Sequence, residues 1–193
     1  MGEYRQKLWE EVSSFYCGKQ CFVLGGAGFA GSHVSEMLVN MKARVTIVDS
    51  LERGKFENIA SLVKMEQAEL TRVDLADPYL PILDLFQDAE VIIHMAAKVS
   101  NISFNSKNHY QMYLNNVKLN TNVIDAARYL RPSRFTFMST GCVYSENVPS
   151  PTPESAANGT PEETNYGYGL AKWVGEEQCR LLQAETLQNI TIV

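Results

Sequence analysis

Short, continuous apolar runs alternate along the chain with stretches in which apolar side chains recur every three or four positions. The runs are "QCFVLG", "ARVTIVD", "AELTRVD", "AEVIIHMAA", "RFTFMST" and "ITIV", and their brevity and wealth of Val, Ile and Phe predict strands. The helical spacing predicts helices over Phe29 to Asn40, 81–86, about 110–129 and about 168–187. A strand that is apolar at nearly every position must be covered on both faces, whereas a half-exposed strand would alternate. The expected fold class is therefore α/β, a doubly wound, Rossmann-type parallel sheet.

Two segments stand apart from this rhythm. In residues 1–19, Leu8, Trp9, Val12, Phe15 and Tyr16 recur at helical spacing. They predict an amphipathic helix that packs its apolar stripe on one domain of residues 20–193. The stretch "SENVPSPTPESAANGTPEETN" is rich in Pro, Ser and Asn and predicts a long loop inside that domain.

With 193 residues, 45% of them apolar, the chain suits a single core and buries roughly 70% of its unfolded surface. Formal charge is −5 and the basic residues are scattered, so the footprint of a nucleic-acid binder is missing and a small-molecule partner is expected. No run approaches the ~20 apolar residues of a membrane span, and the charged first residues lack the apolar centre of a signal peptide. A cytoplasmic protein is expected. Cys17, Cys21, Cys142 and Cys179 show no paired spacing, which argues against a disulfide framework and a metal site; reduced thiols, at least two of them buried, are expected.

Candidate chemistry begins at "VLGGAGFAGSH". Gly25, Gly28 and Gly31 follow the first strand and open a helix, where bare backbone can approach a pyrophosphate held at the helix N-terminus. Asp49 ends the second strand about twenty residues on, where a carboxylate takes hydrogen bonds from ribose hydroxyls and repels a 2′-phosphate. That favours NAD over NADP. A plainer reading of Asp49 is a turn cap in "DSLERG". Asp74 and Leu75, after the third strand, edge an adenine or make ordinary turn chemistry; both readings stand.

Tyr168 and Lys172 in "YGYGLAK" are four apart and share a helix face. An ammonium beside a phenol is expected to favour the phenolate and bring it toward use as a base. With a strand-end hydroxyl, Thr140 or Ser139, they form a proton-transfer set for oxidising an alcohol. His94 and His109 take no catalytic role in this reading.

"GGAGFAGSH", "DSLERG", "VDL", "HMAA", "NNVKLNTNVIDAAR", "STGCVY" and "YGLAKWVGEE" together resemble the extended short-chain dehydrogenase/reductase family, the NAD-dependent epimerases and dehydratases of nucleotide sugars. The likeness runs from about Cys21 to the last residue. "AAKVSNI", "STGCVY" and "PESAANGTPEETNYGYGLAK" look most like the GDP-L-fucose synthase and GDP-mannose 3,5-epimerase branches. The resemblance implies NAD as cofactor and a nucleotide sugar, GDP-linked by preference, as substrate. It implies a homodimer through helices 110–129 and 168–187. It places catalytic roles on Thr140, Cys142, Tyr168 and Lys172. Cofactor contacts fall on Gly25, Gly28, Phe29, Ala30 and Gly31; on Asp49, Ser50, Asp74 and Leu75; and on Ala96, Ala97, Lys98, Tyr168 and Lys172.

Cys142 matches the branches' active-site cysteine, which would move a proton beside an oxidised C4; a small buried hydrophobe is the plainer reading. Leu24 departs from the family's usual Thr before the first glycine, removing a hydroxyl that ties the loop. The substrate lobe and the acid partnering the cysteine are expected beyond residue 193. A second reading is a non-catalytic NAD-binding module, or a fragment of a longer enzyme.

Overall fold

The computed structural model describes residues 2–193. Its centre is a six-stranded, all-parallel sheet: β1 (Gln20–Leu24), β2 (Arg44–Asp49), β3 (Ala68–Arg72), β4 (Val91–His94), β5 (Arg134–Phe137) and β6 (Ile190–Ile192). The strand order is β3-β2-β1-β4-β5-β6, so the chain winds outward from β1 in one direction, then returns and winds in the other. That reversal leaves a crevice beyond the carboxyl ends of β1 and β4, the place where such sheets bind ligands.

The continuous apolar runs fold as their patterning requires. Every residue of β1 and β4 is buried, while the edge strands β3 and β6 are only partly covered. Alternate side chains of β1 enter two cores. Phe22 and Leu24 pack with Ile92, Val123, Phe135 and Phe137 beneath α6 (His109–Leu130) and α7 (Tyr166–Thr186). Cys21 and Val23 pack with Leu38, Ile47, Ile59 and Leu62 beneath α2 (Phe29–Asn40) and α3 (Ala60–Lys64). Cys21 and Cys179 are buried, as expected for free thiols in a core.

Several expectations shift in detail. The strands read as "AEVIIHMAA" and "RFTFMST" stop at His94 and Phe137, because the following residues leave the sheet to line the crevice. The crossover from β2 to β3 contains α3, and α5 (Ile102–Asn105) precedes α6; both are too short for a clear helical period. The span 81–86 narrows to α4 (Ile82–Leu85).

The N-terminal helix α1 (Gly2–Tyr16) forms, but the expectation that its whole apolar stripe packs on the domain is wrong. Leu8 and Trp9 remain 46% and 43% exposed, and among the described residues of the helix Phe15 and Tyr16 are the ones that pack on the core. The helix ends four residues before β1 begins, so its last turn alone reaches the sheet.

Candidate active site

The glycine loop connects β1 to α2 and is held by backbone, by the Asp49 carboxylate and by Asn58, whose Nδ2 donates to the Ala27 carbonyl at 2.9 Å. Gly25 N–H donates to the Val48 carbonyl at 2.7 Å and Met95 N–H to the Leu24 carbonyl at 2.9 Å. Asp49 accepts from Ala27 N–H at 3.0 Å through Oδ2 and from Leu51 N–H at 2.9 Å through Oδ1. Asp49 thus ties the loop to the end of β2 with no hydroxyl at position 24. A Cβ on Gly31 would lie 2.2 Å from the Gly25 carbonyl oxygen, so only glycine lets α2 start this close to the loop. Gly28 caps α2 with no side chain, leaving the helix's first N–H groups open to an anion.

These features line a cleft of about 500 Å³. The expected cofactor residues arrive there from separate strand ends: Gly25, Gly28, Phe29, Ala30 and Gly31 after β1, Asp49 and Ser50 after β2, Asp74 and Leu75 after β3, and Ala96, Ala97 and Lys98 after β4. Tyr168 closes the far end. Lys172 is absent from this lining and lies beneath it, 1% exposed.

Sequence reasoning missed two charged members, Glu52 and Arg53, although both lie within "DSLERG". Lys98 Nζ bridges the cleft's rim, reaching Glu52 at 2.9 Å and Asp74 at 2.8 Å. Burial alone would raise the Asp74 carboxyl, but hydrogen bonds from Lys98 and the Ala76 N–H, with the Lys98 charge, outweigh it and hold Asp74 below its ordinary value. Asp74 thus makes a turn and edges the cleft at once.

Three acids, Asp49, Glu52 and Asp74, stand against two cations, Lys98 and Arg53, among the cleft's charged side chains. This excess of one negative charge disfavours a 2′-phosphate. NAD is expected to bind this chain more tightly than NADP in parallel titrations; equal affinity, or tighter NADP, would show that Asp49 does not meet the ribose.

At the far end, Thr140 caps a short 3-10 turn, Gly141–Val143, accepting from Cys142 N–H at 3.3 Å. The same hydroxyl opposes the upward shifts of both the Tyr168 phenol and the Cys142 thiol, which places it beside both. Gly169 makes this grouping possible: a Cβ there would sit 2.4 Å from the Cys142 carbonyl oxygen, so α7 could not approach the turn. Ser139, the other strand-end hydroxyl, is turned away, donating to the buried Glu176. Thr140 is the hydroxyl beside Tyr168.

The structure corrects the expectation that Lys172 lowers the Tyr168 phenol. Burial pushes Tyr168 up to about 12, the neighbouring Cys142 adds to this, and only the Thr140 hydrogen bond opposes it. The cause is the direction of the Lys172 ammonium, which donates to the Met138 carbonyl at 2.7 Å. Burial takes Lys172 itself down to about 8, against the pull of Cys179 and Glu176. In this state Tyr168 is a proton donor. Burial likewise raises the Cys142 thiol, with Thr140 opposing and Glu162 reinforcing the rise.

His94 and His109 keep structural roles. His94 is fully buried beside Asn120 at 3.1 Å, and burial first, then Lys172, hold it neutral with a pKa of about 3. His109 opens α6 against the backbone of Gly167.

A parallel sheet with an uncapped glycine-loop helix, an acid at the end of β2 and a Tyr/Lys pair on α7 defines a dinucleotide-binding domain of the short-chain dehydrogenase type. The match of residues 21–193 to the NAD dependent epimerase/dehydratase family makes the membership specific: the chain belongs to that family. It is 34% identical over 160 residues to a provisionally assigned UDP-glucose 4-epimerase of Methanocaldococcus jannaschii, covering 82% of this chain and 49% of that protein. GDP-mannose 3,5-epimerase 1 of Oryza sativa subsp. indica is 26% identical over 82% of this chain and 41% of its own length. The solved UDP-glucose 4-epimerase of Thermus thermophilus in complex with NAD superposes with a TM-score of 0.76 at 25% identity, over 90% of this chain and 53% of that one. The chain spans about half the length of the relatives it matches.

Proposed function

We propose that this chain is the NAD-binding part of a nucleotide-sugar epimerase that oxidises C4 of a GDP-hexose and moves a proton at the adjacent carbon. The observation that carries the reading is the grouping of Thr140, Cys142 and Tyr168 at the end of the dinucleotide cleft, where Thr140 accepts from Cys142 N–H and Gly169 lets α7 close on the Cys142 turn. Bound NAD would supply the hydride acceptor and a cationic nicotinamide ring. The open N-terminus of α2 would hold its pyrophosphate and Asp49 its adenosine ribose, and Lys172 would meet its nicotinamide ribose by turning its ammonium from the Met138 carbonyl.

Thr140 would hold the C4 oxygen while Tyr168 exchanges its proton. The raised phenol described above suits returning that proton; removing it requires added positive charge beside the ring. Once C4 is a ketone, the hydrogens on C3 and C5 become acidic and Cys142 stands next to Tyr168 to serve one of them. The rice GDP-mannose 3,5-epimerase supports this substrate class. In the same reading the whole protein is a cytoplasmic homodimer, its subunits meeting through α6 and α7, which expose Tyr110, Tyr129 and Leu181. Among the described residues, no helix is long and apolar enough to cross a membrane.

The relative from M. jannaschii favours a second reading, a UDP-hexose 4-epimerase, in which Cys142 only fills space. Incubation of the full-length protein in heavy water with GDP-mannose or UDP-glucose separates them. Deuterium at C3 or C5 of the GDP-sugar is the expected result. Conversion of UDP-glucose to its C4 epimer without deuterium would overturn it, because a returning hydride carries no solvent hydrogen.

A further inference from the structure

Glu176 is a buried carboxylate with no part in the proton transfers proposed for the cleft. It lies one turn beyond Lys172 on α7, so the two share a helix face, and its side chain is 6% exposed. A carboxylate taken this far from water needs partners, and it has two. Ser139 Oγ donates to Glu176 Oε1, and Arg180 Nη2 donates to Oε2 at 2.6 Å. The Arg180 guanidinium is itself laid over the Trp173 ring, 5.2 Å from its centroid.

What Glu176 reaches through Ser139 is the peptide unit between Met138 and Ser139. A trans peptide is planar, with its N–H and C=O directed to opposite sides. On one side Ser139 N–H donates to the Val193 carbonyl at 2.7 Å. On the other the Met138 carbonyl accepts from Lys172 Nζ at 2.7 Å. The Ser139 side chain, bound to Glu176, is a third fixed point for the same plane. Among the described residues the Met138 oxygen is the one hydrogen-bond acceptor of the Lys172 ammonium, which rests beside the Phe137 ring, 4.8 Å from its centroid. The tilt of this single peptide therefore decides where the ammonium lies.

We infer that Glu176 is a positioning residue for Lys172: by holding Ser139 it fixes the Met138 carbonyl, and that carbonyl keeps the ammonium beneath the dinucleotide cleft. The functional meaning rests on the contact proposed above between Lys172 and the nicotinamide ribose. A lysine held at rest lowers the fraction of molecules ready to make that contact, and the apparent affinity for NAD falls with that fraction.

The hold can be measured without cofactor or turnover. Reductive methylation of Lys172 in the cofactor-free protein, read by peptide mass spectrometry, reports how often the ammonium leaves its rest. Ser139→Ala and Glu176→Gln are each expected to speed it by about 3- to 10-fold, the effect of weakening one hydrogen bond. Ser139→Thr keeps the hydroxyl and should stay at the parent's rate. Because the two residues act in one line, combining Ser139→Ala with Glu176→Gln should add little to the larger single effect. Cys21, buried on the opposite face of the sheet, should stay unalkylated throughout, which separates release of one lysine from opening of the core. Methylation at the parent's rate in a folded Ser139→Ala protein would overturn the inference, as would fully additive effects of the two substitutions. Should Glu176→Gln fail to fold, the contrast between Ser139→Ala and Ser139→Thr decides it alone. Release of Lys172 should also tighten NAD binding by about 2- to 5-fold in a direct titration. Faster methylation with unchanged NAD affinity would keep the positioning and defeat the ribose contact instead.

Discussion

Tyr168→Phe is expected to stop hydride transfer to NAD in the full-length protein, with a loss on the order of 10² to 10⁴ in the rate of C4 oxidation. The phenylalanine keeps the ring that closes the cleft and deletes only the hydroxyl that meets Thr140. Neither Lys172 nor Ser139 is placed to replace it. Lys172 is buried and directed at Met138, and Ser139 is bound to Glu176. Cofactor affinity should change little, because the glycine loop and Asp49 lie at the other end. The measurement is the single-turnover appearance of NADH absorbance with saturating nucleotide sugar, beside a direct NAD titration. Retained absorbance growth at the parent's rate would remove Tyr168 from the chemistry.

Cys142→Ala is expected to give the complementary result. C4 oxidation should persist, while exchange of the C3 or C5 hydrogen with heavy water should fall by a similar factor of about 10² to 10⁴. A packing defect cannot imitate this split. Cys142 is only half buried, its backbone contacts to Thr140 and Glu162 survive the substitution, and removal of one sulfur from such a site leaves the domain folded. Deuterium incorporation followed by mass spectrometry, with circular dichroism as a folding control, decides it. Exchange at the parent's rate in a folded Cys142→Ala protein would return the cysteine to a space-filling role and the reading to C4 chemistry alone.

The sheet was legible because its strands are buried on both faces, which writes itself as unbroken apolar runs such as "CFVL" and "VIIH". The glycine loop was legible for a related reason: backbone crowding at Gly31 tolerates one residue type, so the geometry leaves a spaced signature. Charge placement was legible only in part. Asp49 could be read from its distance to the glycines, and the structure adds that its two oxygens are held by Ala27 and Leu51.

What escaped the sequence depends on which way a flexible side chain turns. The i, i+4 spacing put Lys172 on the same face as Tyr168, but could not say that its ammonium would choose the Met138 carbonyl. Glu162 escaped because a long irregular loop has no period from which to infer a neighbour; only the folded path brings it to Cys142. The outer part of α1 misled in the opposite sense. Leu8 and Trp9 carry the correct spacing for a packed helix, yet spacing fixes a face and not the presence of something to cover it.

Asp49 also bears on any attempt to redesign cofactor preference. The obvious exchange, a neutral or small residue there to admit a phosphorylated ribose, would cut the tether that binds the phosphate loop to the following strand. Gly54, whose added Cβ would lie 2.7 Å from Oδ1, shows how closely the neighbouring chain is moulded around that carboxylate. Selectivity and scaffold are thus vested in one side chain. A switch to NADP would have to arrive as a linked set of changes, with a new anchor for Ala27 installed before the acid is surrendered.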